Sequence, residues 1–120
     1  MTAYDDSNIF AKILRGEIPC DKVAENDHAL AFNDIQPQAP VHMLVIPKGP
    51  YVSYDDFARD ASAEEIAGFH RLVAEITAPL TAGFRAITNA RTDGVQEVPH
   101  FHLHILGGRP MGRMVAKQAE

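Results

Sequence analysis

The chain has 120 residues, of which 46% are hydrophobic and 22% charged, with a formal net charge of −5. That length fits one compact domain with an ordinary core, and the acidic balance argues against a protein that grips nucleic acid through its phosphates, which needs a basic surface. The single cysteine, Cys20, excludes an intrachain disulfide and an all-cysteine metal site. The start, Met1 to Asn8, is polar and acidic, and no later segment approaches the roughly 20 apolar residues of a membrane span. A soluble, cytoplasmic protein with no membrane partner is expected.

In chain order, Ser7 is a candidate N-cap for a short helix whose Ile9, Phe10, Ile13 and Leu14 mark a buried face, with Gly16 as its C′ residue. Lys22–Glu25 and Ala29–Asn33 flank the polar cluster Asn26-Asp27-His28 and read as an antiparallel hairpin. Asp34 follows directly and opens a proline-bounded loop that runs to Pro40. An aspartate there is a cap or turn residue, or at a cleft rim an acceptor for hydroxyl groups.

Val41–Ile46 is almost continuously apolar, the pattern of a strand covered on both faces. His42 lies inside it and must find a partner, since an unpaired buried polar group costs about 1–3 kcal/mol. Tyr51–Arg59 should include a turn of helix. Ser62-Ala-Glu-Glu65 is a capping box for the main helix, whose Ile66, Phe69, Val73, Ile76 and Leu80 form a core stripe that leaves His70 on the surface. Pro79 ends it.

Phe84–Asn89 reads as a strand, and Asn89–Glu97 as a polar loop with a turn at Asp93-Gly94. The tail from Arg109 to Glu120 lacks periodicity, and its Arg109, Arg113 and Lys117 are expected to be solvated. Helix, hairpin, strand, helix, strand, strand is the order of an α+β domain with an antiparallel sheet.

The stretch that asks for chemistry is His100-Phe-His-Leu-His-Ile-Leu106. Histidines at i, i+2 and i+4, interleaved with Phe101, Leu103 and Ile105, have the period of a half-buried strand and put three imidazoles on one face. At roughly 3.3 Å per residue, His100 and His104 lie about 13 Å apart, too far for one zinc with Zn–N bonds of about 2.0–2.1 Å. A metal could take two neighbours of the row and complete its shell from His28, His42, His70 or a carboxylate. The alternative is a row of catalytic imidazoles facing an anionic substrate.

These residues resemble the histidine triad (HIT) superfamily, whose signature is His-x-His-x-His followed by apolar residues. The stretches Phe32–Lys48 and Gln96–Gly108, together with Ser7–Ile18, are similar to its HINT branch, the histidine triad nucleotide-binding proteins. The resemblance implies a single HIT domain over residues 1–120, with its core at about 7–108. It implies a five-stranded antiparallel sheet with two main helices per subunit, continued across a homodimer. It also implies hydrolysis of purine nucleoside phosphoramidates without a metal or other cofactor. His102 would attack phosphorus and form a nucleotidyl-histidine intermediate. His100 and His104 would orient it and bond the phosphate region, with His42 in support. Asn89 and Val95-Gln96-Glu97 would hold phosphate or leaving group, Asp34 the ribose hydroxyls, and Phe10, Ile13, Phe32, Asn33 and Ile35 the base.

The chain departs from that pattern in places. Arg91 and Val95 stand where the family loop usually has glycines; Val95 would narrow the approach to phosphate, and Arg91 would add a cation near it. Glu97 carries over only through its backbone N–H, because its charge repels the substrate. A zinc-binding cysteine pair found in some branches has no counterpart between Ser7 and Phe10, and Arg113-Met114-Val115 replaces an aromatic C-terminal segment. Two rivals stand beside the phosphoramidase: a non-enzymatic nucleotide-binding protein, and a metal-dependent hydrolase using two strand histidines.

Overall fold

The computed structural model describes residues 3–115; of the tail cations expected to be solvated, Arg109 and Arg113 are exposed, and Lys117 lies outside the described residues. The elements are α1 (Ile9–Leu14), β1 (Asp21–Glu25), β2 (Ala29–Asn33), β3 (Val41–Pro47), α2 (Tyr54–Asp60), α3 (Ala63–Thr77), β4 (Arg85–Ile87) and β5 (Leu103–Gly107). The strands form one five-stranded sheet in the order β1-β2-β3-β5-β4, every pair antiparallel. This is the expected α+β architecture.

The alternation of side chains along the strands explains the continuous apolar run. Ala29, Ala31, Met43, Val45 and Ile105 point to one face, where Phe57 of α2 and Phe69, Leu72 and Ile76 of α3 cover them. Leu30, Phe32, Leu44 and Ile46 point to the other, where Phe10 of α1 joins them. β3 lies in the middle of the sheet, so both of its faces must be apolar. The register pairs His42 with Leu106 and Leu44 with His104, so His42 and His104 share the α1 face as diagonal neighbours.

The capping box of α3 forms in both directions, Ser62 Oγ accepting from the Glu65 N–H and the Glu65 carboxylate from the Ser62 N–H. The helix ends at Thr77, ahead of Pro79, and His70 is exposed.

Four details differ from the expectation. Asn8, not Ser7, caps α1: its Oδ1 accepts from the Ala11 N–H, while Ser7 Oγ donates to Asp5. Ile9 is exposed because, one residue from Phe10, it turns out of the core toward a cleft. The strand expected over Phe84–Asn89 is only Arg85–Ile87, since β4 pairs with β5 alone and Thr88 turns its hydroxyl onto the His102 carbonyl. The histidine stretch is a strand only from Leu103, because His100 and Phe101 are drawn out of the ladder, the Phe101 N–H bonding the Tyr51 carbonyl.

Candidate functional site

Each histidine near β5 has a hydrogen-bond partner of fixed sense, which sets where its proton sits. His100 is fully buried. Its Nε2 is 2.9 Å from the Pro47 carbonyl and therefore donates, and its Nδ1 accepts from the Tyr4 hydroxyl at 2.6 Å. Burial pushes its pKa down to about 4, so the ring is neutral at physiological pH.

His102 donates from Nδ1 to the His100 carbonyl at 2.8 Å. Its Nε2 then carries the lone pair. No buried side-chain nitrogen or oxygen among the described residues lacks a partner, and Nε2 of His102, which has none, opens onto the cleft that this ring lines. Burial lowers the His102 pKa, opposed by the bond to His100 and by the charges of Asp34 and Glu97. Phe10 packs edge-on against the ring, with centroids 4.9 Å apart.

A second pair stands beside it. Nδ1 of His42 accepts the Gln38 N–H at 2.9 Å, so Nε2 of His42 bears the proton and gives it to Nδ1 of His104, also at 2.9 Å. That leaves His104 with its own N–H at Nε2, and its ring centroid is 5.0 Å from that of His102. Burial and the neighbouring imidazoles lower its pKa to about 4. One neutral imidazole offers a lone pair to the cleft, and the next offers an N–H.

The cleft holds about 430 Å³. Of the residues proposed from the sequence, Phe10, Ile13, Phe32, Asn33 and Ile35 line it. Asp34, His42, Asn89, Val95, Glu97, His102 and His104 line it as well. His100 and Gln96 do not line it. His100 lies behind His102, and the Gln96 amide donates to the Val52 and Val98 carbonyls while its oxygen accepts from the Arg91 N–H. Gln96 staples the loop instead.

Arg91 also departs from expectation. Its guanidinium bonds Ser53 Oγ at 3.2 Å and Asp55 at 2.9 Å, so it anchors the loop to α2 rather than adding a cation to the cleft. Asp55 is held down at about 2 by this partner. Arg91 and Val95 are the two non-glycine residues with positive φ among those described, 56° and 57°. The loop keeps a backbone path that favours glycine. Gly94 is needed for closeness, since a Cβ there would meet the Ala90 backbone nitrogen at 2.6 Å.

The charged side chains lining the cleft are Asp21, Asp34 and Glu97, and no lysine or arginine of the described residues lines it. Any phosphate must therefore be held by N–H groups and imidazoles. Sequence reasoning missed Tyr4, Gln38 and Thr88, which act on the histidines from other parts of the chain, and the apolar cleft residues Ile18, Leu44 and Val98. A half-buried tyrosine or a backbone partner leaves no periodic signal.

Asp34, His42 and His104 bring three potential ligand atoms within 4.8 Å of one another. They do not fit a divalent cation as arranged. A metal needs the lone pair of His42 Nε2, and that atom is protonated because Nδ1 is already an acceptor.

Fold and site together define a histidine-triad architecture. The HIT domain family model matches residues 15–111, and the chain belongs to that family. It is 55% identical over 117 residues to a HIT-like protein of 13.2 kDa from Azospirillum brasilense, covering 95% of this chain and 96% of that one. It is 42% identical over 117 residues to the purine nucleoside phosphoramidase of Escherichia coli (strain K12), covering 92% and 95%. A histidine triad protein from Clostridium difficile superposes with a TM-score of 0.82 at 40% identity, covering 94% and 100%. These relationships support an enzyme of the HIT type. Among the described residues no helix is long and apolar enough to cross a membrane.

Proposed function

We propose that the chain hydrolyses purine nucleoside phosphoramidates in two steps through a nucleotidyl group on His102. The observation that carries this reading is the unprotonated Nε2 of His102, open to the cleft while Nδ1 is bound to the His100 carbonyl. Nε2 attacks the α-phosphorus as the P–N bond breaks, and the amine departs with a proton taken from water at the open mouth. Once bonded to phosphorus the ring is a cation. The His100 carbonyl and the carboxylates of Asp34 and Glu97 stabilise it. Water then attacks phosphorus and gives its proton to the hydroxide left by the first step, the P–N bond to His102 breaks, and a nucleoside monophosphate leaves with His102 again neutral.

The other residues serve these steps. The Nε2–H of His104 donates to a phosphate oxygen, and His42, held by Gln38, keeps that tautomer in place. Asn89 and the backbone N–H groups of residues 95–97 hold the phosphate or the leaving group. Asp34 accepts from the ribose hydroxyls, and Phe10, Ile13, Phe32, Asn33 and Ile35 enclose the base. The active unit is a homodimer with the sheet continued across its two-fold axis, located in the cytoplasm, with the nucleotide-derived substrate as its ligand.

The phosphoramidase relative supports the substrate class. Steady-state hydrolysis of an adenosine phosphoramidate, followed by ³¹P NMR, tests it. The wild type should release AMP, and His102→Ala should retain at most roughly one part in ten thousand of the rate, the usual scale for removing a nucleophile. Equal rates would refute the assignment.

A further inference from the structure

The described chain begins before α1 with a segment that reaches the back of the histidine row. The Tyr4 hydroxyl donates to Nδ1 of His100 at 2.6 Å and accepts from Nδ2 of Asn8 at 3.1 Å, and the Tyr4 ring meets the imidazole edge-on with centroids 5.6 Å apart. On its far side His100 donates to the Pro47 carbonyl at 2.9 Å. The imidazole is thus held from both nitrogens, by groups 43 residues apart in sequence, in a place where no water reaches it. A ring so held also fixes its own backbone, and the carbonyl of that residue is the acceptor that orients His102 at 2.8 Å.

We propose that Tyr4 is a positioning residue for the nucleophile: its hydroxyl locks the His100 ring, and through the His100 carbonyl it aims the His102 lone pair into the cleft. This rests on the nucleophilic role proposed for His102. The same segment also serves the cleft's apolar wall. Asn8 caps α1 with its Oδ1 and steadies Tyr4 with its Nδ2, so one side chain joins the triad to the helix that carries Phe10, the residue edge-on to His102. Without the Tyr4 hydroxyl, the buried Nδ1 of His100 loses its partner, and the ring gains a reason to turn.

Tyr4→Phe removes only the hydroxyl. Its kcat should fall roughly tenfold while KM stays within about twofold, since misplacing a reacting group costs rate rather than ground-state binding. Asn8→Ser retains a good helix cap and removes the donor to Tyr4; it should give the same split on a smaller scale, and it carries the test if Tyr4→Phe folds poorly. A second readout needs no turnover. In ¹⁵N-histidine NMR spectra of the resting enzyme, Tyr4→Phe should move the His100 Nδ1 resonance toward that of an unbonded nitrogen and weaken the downfield Nδ1–H signal of His102. Wild-type kcat with an unchanged His102 signal overturns the proposal, as does a change confined to KM. If the NMR shifts appear but the wild type hydrolyses no phosphoramidate, the positioning stands and the proposed reaction fails.

Discussion

Nε2 of His42 lies 2.9 Å from Nδ1 of His104, and the Gln38 N–H on the other nitrogen of His42 fixes the direction of that bond. The proton sits on His42, so His104 always presents its own N–H to the cleft. His42→Ala frees His104 to take either tautomer. Its kcat should fall on the order of tenfold to a hundredfold, as for other misplacements of a catalytic group. The same pairing occupies the position a divalent cation would need. Dialysis against a strong chelator should therefore leave the wild-type rate unchanged, and a rate restored only by added metal would contradict the arrangement.

The pH dependence follows from burial. His100 and His104 have pKa values of about 4 in the folded protein against 6.5 for the free side chain. Between those values the unfolded chain binds protons that the folded one does not, so stability rises with pH there. It is fully present above pH 6.5 and is lost as pH falls toward about 4. For the deeply buried His100 the effect is about 3 kcal/mol. The melting temperature should drop steadily over this window, and His100→Phe should flatten the drop whatever it does to stability at neutral pH. Because the His102 pKa is also lowered, the acid limb of kcat/KM should lie below 6.5, the free side-chain value.

Arg91 and Asp55 join the cleft loop to α2 across 2.9 Å. The pair is solvent-exposed and screened by salt, so its value lies in loop placement. Arg91→Ala and Asp55→Asn should each reduce kcat/KM a few-fold, and the double variant should be no worse than either single one. Independent, additive losses would mean that Arg91 acts elsewhere, for instance on phosphate.

Val95 is a β-branched residue held at φ 57°. A non-glycine residue in that region costs about 1–3 kcal/mol, part of which glycine returns through its greater unfolded-state entropy. Val95→Gly should therefore raise the melting temperature by a few degrees. A lower melting temperature would show that the exposed side chain stabilises the loop more than its backbone strain costs.

The elements legible in the sequence were those with a local cause. The hairpin around Asn26-Asp27-His28, the two-faced run at Val41–Ile46 and the capping box at Ser62 each follow from turn chemistry, side-chain period or cap geometry within a dozen residues. What escaped was decided across the fold. His100 reads as one of three equivalent imidazoles on a strand, yet Pro47 and Tyr4 draw it behind the row. Arg91 reads as a free cation until Asp55 and Ser53 are placed opposite it. Asn8 outcompetes Ser7 as a cap because its amide also satisfies Tyr4 and the Asp5 carbonyl. The cleft residues Asp34, Asn89 and Phe10 came from family resemblance, since their spacing carries no chemical signal of its own.

Whether His102 carries the nucleotidyl group is tested by intact-mass spectrometry of the enzyme quenched without acid during turnover of an adenosine phosphoramidate. A transient adduct of one adenylyl group is expected, mapped to His102, absent from His102→Ala and indifferent to chelator. Turnover at full rate with no adduct in the wild type, or an adduct that survives in His102→Ala, would contradict it.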